Sequence, residues 1–357
     1  MEKMTAALFY GQGDIRFEQV VKPKAGPGEI VVRVHGCGIC GSDYRLFARG
    51  PASETIASWP LPRILGHEFA GEVIEIGQGA RGFRIGDRVS AAPATWCGDC
   101  FYCRRGETTL CLNPVDFGST HMGAMAEYVL IPALMVRQGG LVRLPNNAPF
   151  DRGCLLEPFG TCVRGLMTKG KLQAGQSVVI IGDGPIALLQ VMLAQYLRAG
   201  WIAAIGHHDE RLALARQFGA HHTINSSKDD PAPLIRDLTE GIGADLVVHS
   251  VPSAGTMQEY HGLVRGGGRF VIFGGVPSGS RFSVDPNFIH YSEVEITGSY
   301  NCTVQEFQTA RDLSAHIPLE RVITHRVILS EIQEGFDLIR RREGLKVLAV
   351  AEGVKKA

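Results

Sequence analysis

The chain has 357 residues, 45% of them hydrophobic and 20% charged, with 36 basic side chains against 36 acidic ones. That length exceeds one ordinary core and predicts two domains. The balanced charge argues against a nucleic-acid footprint or an acidic membrane surface as partner. The opening MEKMTAALFYGQGD has no long apolar core behind basic residues, as a secretory signal would, and no apolar run reaches the roughly 20 residues that a bilayer requires. The expectation is therefore a cytoplasmic protein with no membrane partner.

Residues 1 to about 150 read as β-rich. GEIVVRVHGCG, FAGEVIEIG and DRVSAAP are strand-like, with Gly and Pro between them as turn signals. Many short strands with few long helical patterns predict a barrel-like or irregular β domain. The character changes near Cys154. SVVIIGDGPIALLQVMLAQYLRAG reads as a buried strand, a glycine turn and a long apolar helix. WIAAIG is a second strand, DERLALARQFGA a helix, and ADLVVHSV and GRFVIFGG two further strands. Strands alternating with helices predict a parallel, doubly wound sheet. From about Glu295 the pattern is mixed, with ITGSY as a strand and TVQEFQTARDLSAH as a helix. The expected fold is α/β, with one domain made of residues 1–153 and 296–357 and a second, inserted, made of 154–295.

Nine cysteines are many for a reducing compartment, and four fall within CGDCFYCRRGETTLC, residues 97–111. Clustered cysteines in a cytosolic protein point to metal rather than disulfides. Cys97, Cys100, Cys103 and Cys111 follow the spacing C-x2-C-x2-C-x7-C. Two-residue gaps turn consecutive thiolates toward one centre, and the longer gap returns the fourth from the far side. Four thiolates fill a zinc tetrahedron and leave no room for substrate, so this site is expected to be structural. An iron–sulfur cluster accepts the same ligands, but no other redox feature accompanies it.

A second set is dispersed. GICGSD carries Cys40, GHEFAGEV carries His67 and Glu68, and LLEPFG carries Glu157. One thiolate, one imidazole and one or two carboxylates make a mixed site with an open position, which is the composition of a catalytic zinc. Each residue also has an ordinary use as core or surface, and only a fold can bring them together. Cys37 and Cys40 form a CxxC after a strand, but no helical pattern is read behind it, so Cys37 is expected to be packed rather than redox-active.

In this order, GICGSD, GHEFAGEVIEIG, GDRV, the four-cysteine lobe, AEY, EPFG, GDGPIA, ITGSY and LKVLAV resemble the zinc-dependent medium-chain dehydrogenase family, in its sorbitol and threonine dehydrogenase branch. The likeness runs almost end to end. It implies a GroES-like catalytic domain beside a Rossmann cofactor domain, two zinc ions per chain and a homodimer or homotetramer. It also implies a small alcohol or polyol as substrate. By the same resemblance Cys40, His67 and Glu68 hold the catalytic zinc, with Glu157 direct or water-bridged. Asp43 orients the zinc-binding histidine, and Ser42 takes the substrate's proton. One departure stands out: many relatives have a relaying histidine five residues after the zinc cysteine, and here it is Arg45, which stays protonated and cannot relay. It is open to holding an anionic substrate group or to lying in solvent.

SVVII followed by Gly182-Asp183-Gly184-Pro185-Ile186-Ala187 is GxGxxA between a strand and a helix. Gly182 permits the tight turn, Gly184 lets the backbone approach a pyrophosphate, and the helix start offers free N–H groups. An acid at the end of the second strand binds the ribose hydroxyls in NAD proteins. Here that position is Gly206, followed by His207, His208 and Arg211, so the reading leans to NADP over NAD, with Asp209 an alternative source of the acid. The resemblance further implies that Thr161 lies near the nicotinamide, that Phe273, Gly274 and Gly275 meet the carboxamide, and that Lys346 lies near the cofactor phosphates.

The expected reaction is zinc-assisted hydride transfer between an alcohol and NAD(P), in a cleft at the carboxyl ends of the sheet. A zinc-free quinone or enone reductase, or a non-catalytic nucleotide-sensing protein, are the competing readings. The Cys40, His67 and Glu68 set argues against both.

Overall fold

Short strands separated by Gly and Pro make up most of the regular structure in the first 145 residues, in keeping with their β-branched content. The structure, a computed structural model, describes residues 1–50, 60–145 and 147–352. Two units emerge: Met1–Gly160 with Cys302–Ala357, and Thr161–Asn301. Residues 353–357, the end of the predicted catalytic domain, lie outside the described residues.

In the first unit the chain runs β1 (Lys3–Gly11), β2 (Asp14–Val21), β3 (Ile30–Gly38), α1 (Gly41–Arg49), β4 (Arg63–Ile64), β5 (Glu68–Ile76), β6 (Arg88–Ala91) and β7 (Ala94–Thr95). It continues through β8 (Val115–Asp116), β9 (Tyr128–Ile131), α2 (Ala133–Arg137), β10 (Leu141–Arg143), α3 (Phe150–Cys154) and α4 (Leu156–Val163). The second unit holds β11 (Ser177–Ile181), α5 (Pro185–Tyr196), β12 (Trp201–Gly206), α6 (Asp209–Gln217), β13 (His222–Asn225) and α7 (Pro231–Leu238). It then adds β14 (Ala244–His249), α8 (Ala254–Tyr260), β15 (Val264–Ile272), α9 (Pro286–Ser292) and β16 (Glu295–Gly298). Back in the first unit come α10 (Val304–Leu313), β17 (Ile323–Ile328), α11 (Ile332–Arg340) and β18 (Lys346–Val350).

Among the described residues, the larger sheet of the first unit has the order β10-β6-β5-β3-β18-β17, with β9 also on β3. All five residues of β18 are buried, because it lies between β17 and β3. Register follows from that pairing: Gly38 lies opposite Glu68 on one side and Leu348 on the other. Phe9, Phe69, Phe159, Phe307 and Phe336 are each fully buried in this unit.

The second unit is a parallel sheet in the order β13-β12-β11-β14-β15-β16, the 3-2-1-4-5-6 arrangement of a doubly wound fold. Its core joins Val179, Ile205, Val247 and Phe270 from four strands with Ile235, Met257 and Tyr260 from helices. ITGSY, expected in the first domain, contributes β16 as the sixth strand here, so the chain returns to the first unit only at Cys302. Among the described residues no helix is long and apolar enough to cross a membrane.

One local expectation fails. The stretch behind Cys40 is helical: α1 begins directly after it, with Asp43, Leu46 and Phe47 buried at i, i+3 and i+4. The periodicity escapes notice because a carboxylate occupies one of the buried positions.

Candidate functional site

In the lobe at residues 97–111, two short turns, Cys103–Arg105 and Thr108–Leu110, bring Cys111 back to Cys97. The ligand atoms of Cys97, Cys100, Cys103 and Cys111 all lie within 4.8 Å of one another. Cys97 Sγ is 3.5 Å from Cys111 Sγ and 3.9 Å from Cys103 Sγ. Thiolates about 2.3 Å from a tetrahedral zinc are about 3.8 Å apart, whereas a disulfide brings its sulfurs to about 2 Å. The lobe therefore has the spacing of a metal site. The backbone N–H groups of Cys97 and Asn113 donate to Cys111 Sγ at 3.3 and 3.4 Å. Backbone donation from Leu112 and Cys103 lowers the Cys100 pKa to about 6, whereas burial raises that of Cys103 to about 12, so the four sulfurs share negative charge unevenly.

The mixed cluster is built by packing rather than by local turns. Cys40 caps α1 and Glu68 begins β5, with His67 just before it, and their ligand atoms also lie within 4.8 Å of one another. Asp43 has two duties. One carboxylate oxygen accepts the Cys40 N–H at 3.0 Å, and the other faces His67 Nδ1 at 3.8 Å. Burial disfavours a charged His67, but Asp43, Cys40 and Glu157 around it outweigh that and hold its pKa well above the ordinary value. These donors attract positive charge, as a metal site must. Ser42 lies half-buried in the first turn of α1, and Arg45 is exposed on the same helix.

Glu157 does not join the three converging donors. It is buried on α4, and burial raises its pKa to about 7 while His67 and Lys346 pull it down. It shares the electrostatic environment of the cluster. Cys37 is buried, and burial pushes its thiol pKa well up, which removes it as a redox nucleophile despite the helix that follows Cys40.

Lys346 requires a correction. Expected near the cofactor phosphates, it is instead only 4% exposed at the start of β18, with its ammonium paired to the Glu68 carboxylate and 3.5 Å from the Ile39 carbonyl oxygen. The register of β18 beside β3, and of β3 beside β5, commits it there. Asp116 on β8 is a second group that no motif marks. Its carboxyl pKa is pushed up to about 6 by burial, with His67 acting in the opposite direction.

In the second unit the GxGxxA turn has the expected form. Gly182 has φ +133° and donates its N–H to Ile205 O at 2.7 Å, Gly184 caps α5, and Pro185 and Ile186 open the helix. Gly206 ends β12, and His207, His208 and Arg211 follow it at the start of α6. Asp209 is engaged by Asn225 and Lys228. Phe273 and Gly274 both donate their N–H groups to the carbonyl of His249, at 3.0 and 2.8 Å, which leaves their own carbonyls as acceptors. Thr161 opens this unit, half-buried on α4. The strand end at Gly206 is not without an acid: the Asp183 carboxylate from the glycine turn accepts the N–H groups of His207 and His208.

A family model described as alcohol dehydrogenase GroES-like domain matches residues 26–146, and one described as zinc-binding dehydrogenase matches residues 185–316. L-threonine 3-dehydrogenase of Aeromonas hydrophila is 31% identical over 333 residues, covering 92% of this chain and 94% of its own. The alcohol dehydrogenase TADH from Thermus sp. ATN1 superposes with a TM-score of 0.87 at 32% identity, covering 98% of this chain and 100% of its own. A zinc-binding dehydrogenase of Sinorhizobium meliloti 1021, solved bound to NADP, gives a TM-score of 0.89 at 29% identity, with 98% and 100% covered.

Proposed function

From the premise that this chain belongs to the zinc-dependent medium-chain dehydrogenase family, in its threonine and sorbitol branch, we propose that Cys40, His67 and Glu68 hold its catalytic zinc, with Glu157 reaching it through water. As a member it is an NAD(P)-dependent alcohol dehydrogenase. The observation that carries the assignment is the convergence of one thiolate, one imidazole and one carboxylate within 4.8 Å, a donor set that leaves a tetrahedral position open. The cysteine lobe takes the second, structural zinc.

Zinc in such a site supplies a Lewis acid that makes a substrate hydroxyl more acidic, and the nicotinamide supplies the two-electron acceptor. The residues of the chain do the rest. Asp43 turns its negative charge toward His67 Nδ1, which favours a proton on that nitrogen, while its other oxygen holds the Cys40 backbone. The Ser42 hydroxyl accepts the proton that leaves the substrate oxygen. Arg45 cannot pass that proton on by deprotonating, so water or another group carries it to solvent. The Arg45 guanidinium has instead the chemistry to hold an anionic part of the substrate. Lys346 balances the Glu68 charge, which keeps the cluster from becoming over-anionic before metal binds. The glycine turn and the start of α5 receive the dinucleotide pyrophosphate, with Thr161, Phe273 and Gly274 toward its nicotinamide end.

The substrate class is a secondary alcohol with further hydroxyl or amino groups, as polyols and amino alcohols have. A cytoplasmic location and a homodimer or homotetramer complete the reading. The test is a rate screen of the purified zinc-loaded protein with NAD⁺ and NADP⁺ against polyols, sugars, amino alcohols including L-threonine, simple alcohols and phosphorylated polyols. Chelator-sensitive reduction of the nicotinamide is expected. Turnover that survives complete zinc removal would favour the zinc-free reductase instead. A preference for phosphorylated substrates that Arg45→Ala abolishes would assign that residue to the substrate anion.

A further inference from the structure

The strand-end rule reads Gly206 as an absent acid and therefore as a vacancy for a 2′-phosphate. The surroundings of Gly206 say otherwise. A Cβ built there would fall 2.6 Å from Asp183 Cβ and 2.7 Å from Asp183 Oδ2. Asp183 thus fills the space from which a side chain at 206 would start. Glycine stands there because the neighbouring turn already brings a carboxylate in. The register explains the approach, since β11 and β12 run parallel with Ile181 beside Ile205, so the glycine turn leaves the sheet next to the end of β12.

One oxygen of the Asp183 carboxylate is also heavily engaged. Its Oδ2 accepts the His207 N–H at 2.8 Å, the His208 N–H at 2.9 Å and His208 Nδ1 at 2.8 Å. Its Oδ1 faces Arg211 at 3.9 Å, and the side chain is 12% exposed. Two successive backbone N–H groups at the start of a helix, an imidazole and a guanidinium are the donors that bind a phosphate. Here they already hold an internal anion. Burial alone would raise the Asp183 pKa, but the His207 and His208 donors outweigh it and hold it below the usual value. The nearby groups on the outer side are occupied as well: His207 Nδ1 meets Ser226 and Ser227, and Lys228 pairs with Asp209.

On the reading of the second unit as the dinucleotide domain, we infer that Asp183 sets cofactor choice. Its carboxylate occupies the anion site that a 2′-phosphate would need, so the chain takes NAD in preference to NADP. A phosphate dianion arriving there meets a fixed negative charge and donors already spent. An unphosphorylated ribose meets no such repulsion and can donate a hydroxyl proton toward Oδ1.

Equilibrium binding of NADH and NADPH to the zinc-loaded protein, by nucleotide fluorescence and by calorimetry, tests this without relying on turnover. The wild type is expected to bind NADH more tightly. Asp183→Ala frees the two N–H groups and His208 and removes the negative charge beside Arg211, and the NADPH-to-NADH affinity ratio should rise on the order of tenfold or more, the usual scale for hydrogen bonds to a charged group. Asp183→Asn keeps an acceptor for the two backbone N–H groups, so it preserves the turn while removing the charge. It should shift the ratio in the same direction, which covers the case in which the alanine variant folds poorly. A wild type that prefers NADPH and loses that preference in Asp183→Ala would overturn the inference, because the carboxylate would then be positioning a phosphate site. A ratio unmoved by either variant would overturn it too. If neither nucleotide binds the wild type, the dinucleotide reading itself fails and takes this inference with it, an outcome distinct from binding with the wrong preference.

Discussion

Cys97, Cys100, Cys103 and Cys111 come from one stretch of fifteen residues, and two short turns are enough to gather them. Cys40, His67 and Glu68 come from a helix cap and a strand start, with Lys346 of β18 added from nearly three hundred residues away. The first cluster is half-exposed and bonded mainly to its own backbone. In the second, Cys40 and His67 are half-buried and Glu68 is buried, and all three are set among charged neighbours. A closed thiolate set gives rigidity to a loop that has little core of its own. A mixed set under strand pairing leaves an open position and surrounds it with groups that tune charge.

Substitutions that damage the two clusters differently are the sharpest way to break this comparison. Cys100→Ser should have the largest effect on folding. Structural zinc in small domains contributes about 10 kcal/mol or more, so the variant is expected to lose one zinc by elemental analysis and to melt well below the wild type. If it kept both metals and its melting temperature, the structural assignment would fail. Cys40→Ser should leave the melting temperature close to that of the wild type while turnover falls on the order of a thousandfold, the scale of several kcal/mol of lost Lewis-acid assistance. Retained activity would remove Cys40 from the metal.

Lys346→Met isolates the feature that sets the mixed cluster apart. Removing one partner of a buried ion pair leaves the other charge uncompensated, at a cost of roughly 3–5 kcal/mol. That loss should be clear in the metal-free protein and smaller in the zinc-loaded one, because a bound cation supplies the missing charge to Glu68. Equal losses in the two states would mean that Lys346 acts independently of the metal.

The smallest effect concerns a pair that belongs to neither cluster. Arg152 donates to both oxygens of Glu320 at 2.7 and 2.6 Å. Burial raises the Glu320 pKa, but the Arg152 contacts outweigh it and the net shift is downward. A lowered carboxylate pKa stabilises the fold above the unfolded value, about 4.3, and that contribution is lost as pH falls through the lower folded value. Glu320→Gln should therefore cost about 1 kcal/mol near neutral pH, and the difference should close as the wild type is acidified below about pH 4. Denaturant melts across that range would read it directly.

The cysteine lobe was legible because C-x2-C-x2-C-x7-C encodes its own closure: short loops cost little entropy and have few alternatives. The parallel sheet was legible for a related reason, since β11, β12, β14 and β15 are apolar runs separated by helical patterns, and the glycine turn between β11 and α5 is a local motif. Helix α1 was missed because its buried face includes Asp43, whose carboxylate is turned inward to Cys40 and His67. β16 was assigned to the wrong unit because a four-residue strand carries no mark of the sheet it will join.

By itself, then, the amino-acid sequence determined the fold class, the closing of the four-cysteine lobe and the glycine turn before α5, all of which depend on residue type and short spacing; it marked Cys40, His67, Glu68 and Glu157 as candidates, of which the fold brings the first three together. Only the tertiary structure decided that Lys346 faces Glu68 rather than the cofactor phosphates, and that Asp183 stands at the end of β12 where Gly206 has no side chain. Both are consequences of strand register, which brings together residues distant in the chain according to pairing and burial, and one side chain's position in a sheet is set by neighbours whose distance along the chain gives no sign of contact.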